Sequence, residues 1–439
     1  MSQATSLLRG RRKSSKSAGM KSIKTAAFAA CLVCAFGALS ALGAGENPIA
    51  EKIRAEESAM WERFFLPKTN LFYECLSSYD PATCQNHLPT ADEVKRQFPN
   101  PCGYATGMED CAIIGGTVLA ALCDKYKISP RDADAARAKN VAFGLLSLVQ
   151  SDGFVARGLC PEDGESFYIS SSIDQYTHLV HGLWKFYNSP MSNESDKAKI
   201  RAALVRIAGR LERNVKPEND FCSLRADGAR DPLRISRFTA EQPHAAARLP
   251  MINAAAWDAS GGEKFFALYK KYIVEALNVS EKLEINGWTP IWSLLQMQIS
   301  LELLREVEKD AAEKKRIGAI MEKVARLSLT QARRVEKKFR SSKLDTLYGD
   351  WRNPPKWETR GGYNIPKLGT SREVWRAIRE TGELPLIFAL SPSPDTPPEI
   401  KNLFLEAVQK TDPARCASCG IIFHFCAYWS FAARGKTIE

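Results

Sequence analysis

One unit of grammar recurs along the sequence. An apolar helix is followed by a short polar turn, then by an amphipathic helix with lysines on its outer face. It is seen in LCDKYKISPRDADAARAKNVAFGLL, in GLWKFYNSPMSNESDKAKIRAALVRI and in AAWDASGGEKFFALYKKYIVEAL. Apolar residues at i, i+3, i+4 and i+7 mark these segments as helical, and strand signals are few and short. DCAIIGGTVLAALCDKY is apolar on nearly every side, so it must be walled in by other elements. An apolar inner helix followed by a charged outer one favours a closed toroid over an open solenoid. The expected fold class is therefore all-α, an (α/α) toroid of six or seven helix pairs with long loops forming a cleft. Ser192 or Ser195 is expected to cap the second outer helix, and Gly261-Gly262 to make the third turn.

Three stretches break the helical pattern: 67–107, 151–169 and 341–370. Loops this long are uncommon unless they carry function. The last holds Tyr348, Trp351, Arg352, Trp357, Arg360 and Tyr363. Flat aromatics suit sugar faces, and arginines suit carboxylates.

Residues 1–44 read as a signal peptide: a basic leader, then the apolar TAAFAACLVCAFGALSALGA ending in small residues. A single catalytic domain is expected over 45–439, secreted or periplasmic, with no membrane attachment after cleavage. The formal charge of the chain is +11. The leader carries seven basic and no acidic residues, so removing it leaves +4. That balance suits an acidic ligand and gives no case for nucleic acid. Ten of the twelve cysteines lie beyond the leader. In an exported chain an even number suggests disulfides, with Cys75/Cys84 and Cys102/Cys111 as short-loop candidates. Cys416-x-x-Cys419 has no second CxxC, so neither a metal nor a cofactor is expected.

Two of the five histidines fall in IDQYTHLVHGLW. On a helix Asp174, His178 and His181 share one face, with Gln175 beside it. The stripe reads either as an active-site wall or as a satisfied buried network in which Asp174 holds His178. In EQPHAAARLPMINAAAWDASG, His244 and Arg248 are i and i+4, with Pro243 suited to a first helical turn and Glu241 to a cap. CSLRADGARDPLR places Arg225, Asp227 and Arg230 in a loop. The basic run 333–343 reads as a solvated helix end, and His424 as a core residue. No phosphate-binding glycine loop, G-x-S-x-G elbow or H-E-x-x-H is present.

DGFVARGL…DQYTHLVHGLWKFYNSP, RLPMINAAAWDASGGEKFFALYKKYI and LDTLYGDWR resemble secreted bacterial polysaccharide lyases of the (α/α)-toroid kind. The resemblance is to the alginate and glucuronan lyase group, with an (α/α)7 barrel. It extends in pattern over 50–435 and is close only in short blocks. It implies β-elimination on an acidic polysaccharide or oligosaccharide. His178 or His181, with Tyr348 or Tyr363, would transfer protons. His244, Arg225 and Arg248 would hold the carboxylate. Asp174, Gln175, Trp351, Arg352 and Arg360 would bind substrate. The asparagine such lyases use is not obvious here, Asn253 and Asn364 both being possible. The alternatives are an (α/α)-barrel glycoside hydrolase using carboxylates among Asp174, Asp227, Glu241 and Asp350, and a glycan-binding protein without activity.

Overall fold

The computed structural model describes residues 47–438; the leader expected over 1–44 lies outside them. In chain order the helices are α1 (Pro48–Ala59), α2 (Ala91–Lys95), α3 (Cys111–Ile128), α4 (Asp132–Ser147), α5 (Ile173–Tyr187), α6 (Glu194–Asn214) and α7 (Arg248–Ser260). They continue as α8 (Glu263–Ser280), α9 (Ile291–Val307), α10 (Ala311–Ser328), α11 (Ala332–Ser341), α12 (Thr370–Leu390), α13 (Pro398–Lys410) and α14 (Ile421–Ala433). Two small antiparallel hairpins pair β1 (Phe65–Leu66) with β2 (Leu71–Phe72), and β3 (Lys356–Arg360) with β4 (Tyr363–Lys367).

The helices close into a double ring. Helix α3 packs on α5, α5 on α7, α7 on α9, α9 on α12, α12 on α14, and α14 back on α3. Helices α4, α6, α8, α10, α11, α13 and α1 form the outer layer behind them. This is an all-α toroid. Its inner ring has six helices among the described residues, where the resemblance implied seven.

The apolar–amphipathic alternation explains the layering. Helix α9 buries nearly all of its surface, whereas α8 buries only the stripe Phe265, Tyr269, Ile273, Ala276, Leu277 and Ser280. Two glycines let α3 and α5 approach backbone to backbone. A Cβ on Gly116 would lie 2.1 Å from the His178 carbonyl oxygen, and one on Gly182 would lie 2.5 Å from the Gly116 carbonyl oxygen.

Inner-to-outer turns are short (129–131, 188–193, 261–262, 308–310), whereas outer-to-inner connections are mostly long (148–172, 215–247, 342–369). The inner helices therefore run parallel, and the long loops gather at their N-terminal ends. That end is the mouth of the barrel. There the β3–β4 hairpin reaches the loops before α3 and α7. Arg225 Nη1 donates to the Tyr363 hydroxyl at 3.1 Å, Tyr363 donates to Asp231 at 3.3 Å, and Asn100 Nδ2 donates to the Asn364 carbonyl at 2.9 Å.

Three local expectations are corrected. The cap of α6 is Asn193, in a reciprocal capping box with Asp196, rather than Ser192 or Ser195. Helix α7 starts at Arg248, so His244 lies in the turn before it, and Glu241 pairs with Arg237 instead of capping. The cysteines of the described residues are free thiols, each buried in the core. Ten small apolar side chains fill packing positions there, and none of the expected disulfides forms.

Candidate functional site

The stripe Asp174–His178–His181 runs down the inside of the barrel instead of converging on one point. Seven residues of helix span about 10 Å. Asp174, at the mouth, is ion-paired with Arg248; it does not hold His178. Midway, His178 Nδ1 lies 2.8 Å from Thr117 Oγ1, which is also 2.7 Å from the Ile113 carbonyl. At the base, His181 Nε2 lies 2.8 Å from Glu302 Oε2. There Lys185 donates to Asp124 at 2.9 Å, and Arg434 bridges Asp124 and Glu302. Both histidines are buried, and burial depresses their basicity, well below the ordinary value at His178.

At the mouth, Arg248 is 1% exposed, while the Asp174 side chain is 23% exposed. Besides the bond to Asp174, Arg248 Nε and Nη2 are buried without a hydrogen-bond partner among the described residues. His244 is half-buried; burial and then Arg248 bring its pKa down to about 4. One turn into α7, Asn253 donates to the Leu249 carbonyl at 3.0 Å and leaves Oδ1 unpartnered. Gln175 Nε2 donates to Asp110 Oδ1 and to the Glu109 carbonyl, both at 3.0 Å.

Joined to Gln175 through Glu109 and Asp110 is a cluster that sequence reasoning missed: Glu74, Glu109, Asp110, Arg157, Arg372 and Arg379. Arg372 pairs with Glu109, and Arg379 donates to Asp110 at 3.0 Å and to Glu383 at 2.6 Å. Arg157 lies 3.8 Å from Asp110 and over the Tyr104 ring at 5.2 Å. Burial raises Asp110, but Arg379 and Arg157 outweigh it and hold the carboxyl below its ordinary value. Glu74 is fully buried with neither carboxyl oxygen bonded, and burial, then Glu109 and Asp110, push it well above its ordinary value. The signal for this cluster was the spacing of Arg372, Trp375 and Arg379 on one face of α12, both guanidiniums lying over the indole at 4.0 and 5.0 Å.

The loop tyrosines divide between two places. Tyr348 is buried beside Arg372 Nη1 (3.4 Å), whereas Tyr363 stands with Arg225 and Asp231, its pKa pushed up to about 12 by burial. Arg225 also donates to Asp227 at 3.0 Å. Trp351 is buried and donates to the His87 carbonyl at 2.8 Å; Arg352 forms two 2.7 Å bonds to Glu93. These two anchor the loop to the segment before α3. Arg360 is exposed at the tip of the hairpin. Beside the hairpin, Arg96, Gln97, Asn100, Tyr363 and Asn364 line a depression of about 370 Å³.

Fold and mouth together define an (α/α) toroid in which loops and inner-helix starts gather arginines, carboxylates and a neutral imidazole at one end. No family model matches the chain, and no curated protein matches it. Among solved structures it is similar to one described as the crystal structure of a sugar epimerase from a ruminal bacterium. The identity is 12% and the TM-score 0.49, over 89% of this chain and 99% of that one.

Proposed function

We propose that the chain is an exported carbohydrate-active enzyme that cleaves an acidic, uronate-containing polysaccharide by β-elimination at the barrel mouth. The observation that carries this reading is Arg248. A buried guanidinium with two unpartnered nitrogens is costly unless a carboxylate completes it, and a neutral imidazole, His244, stands beside it. Elimination needs that pair of functions. The uronate carboxylate must be neutralised so that charge can build on it in the transition state. In the proposed step His244 takes the C5 proton, and the electron pair of that C–H bond forms the C4–C5 double bond. The C4–O4 bond breaks, and O4 leaves with a proton from Tyr363, which is protonated at neutral pH.

A second reading, hydrolysis, is favoured by one observation. Within a single cluster Glu74 is pushed well above its ordinary value and Asp110 is held below its own, and opposite shifts in neighbouring carboxyls are how acid and base are assigned. The product separates the two. Elimination leaves a double bond conjugated to the carboxylate, which absorbs in the ultraviolet, and hydrolysis does not. Incubation with alginate, polyglucuronate and polygalacturonate is expected to raise that absorbance with at least one polymer. New reducing ends without absorbance would establish hydrolysis instead.

A further inference from the structure

The most exposed large apolar side chain in the described residues is Trp288, at 90%, and Trp292, four residues on, is 40% exposed. They lie at the N-terminal end of α9, on the same end of the barrel as the mouth. The turn that presents Trp288 is built to hold it. Asn286 Oδ1 accepts from the Trp288 amide at 2.9 Å, the Asn286 amide donates to Thr289 Oγ1 at 3.0 Å, and Gln331 Nε2 donates to the Asn286 carbonyl at 2.8 Å. The last bond ties the turn to the start of α11. On that helix Arg333 and Lys337, one turn apart, are exposed, whereas Arg334 and Lys338 are engaged with Glu380.

The geometry points to a rim platform for an anionic polysaccharide, with Trp288 and Trp292 stacking on pyranose rings and Arg333 and Lys337 meeting the carboxylates. A tryptophan left in water costs hydrophobic free energy that a flat partner recovers, and the hydrogen-bonded turn removes most of the ordering cost of binding. Arg333 and Lys337 supply exposed positive charge on the helix to which the turn is tied, and Glu281 is taken up by Arg316, so an acidic chain fits better than a neutral one. The assignment rests on the proposed reading for its class of ligand, and extends it from the bond cleaved to the chain held outside the mouth.

The test is affinity electrophoresis of the full-length protein in native gels containing alginate, polyglucuronate or polygalacturonate, which reads binding without turnover. At least one polymer is expected to retard the wild type. Trp288→Ala, and Arg333→Ala with Lys337→Ala, should each weaken binding about five- to tenfold. Val274→Ala, at an exposed position on outer helix α8, should not. Unchanged thermal melts establish that the variants fold. Equal retardation of Trp288→Ala and wild type, no retardation by any acidic polymer, or equal retardation by neutral hydroxyethylcellulose overturns the platform. Tighter binding of single-stranded DNA through the same residues also overturns it. Elimination without dependence on Trp288 would leave the proposed reaction standing and remove the platform. Retardation that depends on Trp288, without elimination, would do the reverse.

Discussion

Which nitrogen of a histidine carries its proton decides what the residue can do. Thr117 Oγ1 lies 2.7 Å from the Ile113 carbonyl and 2.8 Å from His178 Nδ1, and its one proton serves either: given to the carbonyl, it requires Nδ1–H on His178 and a lone pair on Nε2; given to Nδ1, the reverse. His178, His87 and His244 are all kept neutral chiefly by burial, the last two with pKa about 4. The consequence for stability follows from linkage. Below about pH 6.5 the unfolded chain takes up protons that the folded chain refuses, so stability falls with pH until the folded pKa is reached. Thermal melts are expected to show a decline from pH 6.5 to about 4, up to about 1.4 kcal/mol per pH unit for each such histidine. His87→Gln should flatten it, and an unchanged slope in that variant would remove His87 from the account. Activity follows the same shift. The base form of His244 is present above about pH 4, so kcat/KM should show no acid limb near 6.5. Replacing Arg248 with Lys should raise KM, because a point charge cannot supply the paired donors a carboxylate meets on a guanidinium.

At the scale of the helix, the sequence carried the layering because burial leaves a periodic trace. Helices α3, α4, α6, α8 and α9 fall where the 3.6-residue pattern places them. It did not carry the caps or starts, which are decided by single side chains: Asn193 competes with two neighbouring serines, and the turn at 243–247 stays outside α7 although its residues tolerate helix. Glycines were equally ambiguous in sequence and unequal in structure. Gly116 sits where a methyl would meet the His178 carbonyl at 2.1 Å; Gly209, on outer helix α6, would offer its methyl only to the Arg213 side chain at 3.5 Å. Gly116→Ala is therefore expected to destabilise by about 3 kcal/mol or more, since two inner backbones must separate. Gly209→Ala should stabilise by about 0.5–1 kcal/mol through helix propensity. Urea unfolding of both variants measures the pair, and equal effects would mean that the α3–α5 contact does not control ring closure.

The described residues form a barrel with two polar ends of different character. The mouth is built from residues far apart in the chain, from Glu74 to Arg379, and most of them sit on loops or at helix starts. A one-dimensional pattern cannot bring such residues together, which is why the short-range pairs Asp174–His178 and His244–Arg248 could be singled out and the arginine–carboxylate cluster around Asp110 could not. The base was hidden differently. Asp124, Lys185 and Glu302 interrupt apolar helices one at a time, and each looks like an isolated defect until the ring closes and Arg434 joins them. This division predicts opposite phenotypes. Lys185→Met removes one partner of a buried network, leaving Asp124 and Glu302 undercompensated, so it should cost on the order of 3–5 kcal/mol of stability. Its turnover per folded molecule should stay close to wild type, because the change lies at the far end of the barrel from the proposed site. His244→Ala should do the converse, melting near wild type because the side chain is only half-buried, while kcat for elimination falls about 10²–10⁴-fold with KM little changed. Urea melts beside initial rates on one uronate polymer test both together. If Lys185→Met loses turnover while still folded, or His244→Ala keeps it, the chemistry is not at the mouth.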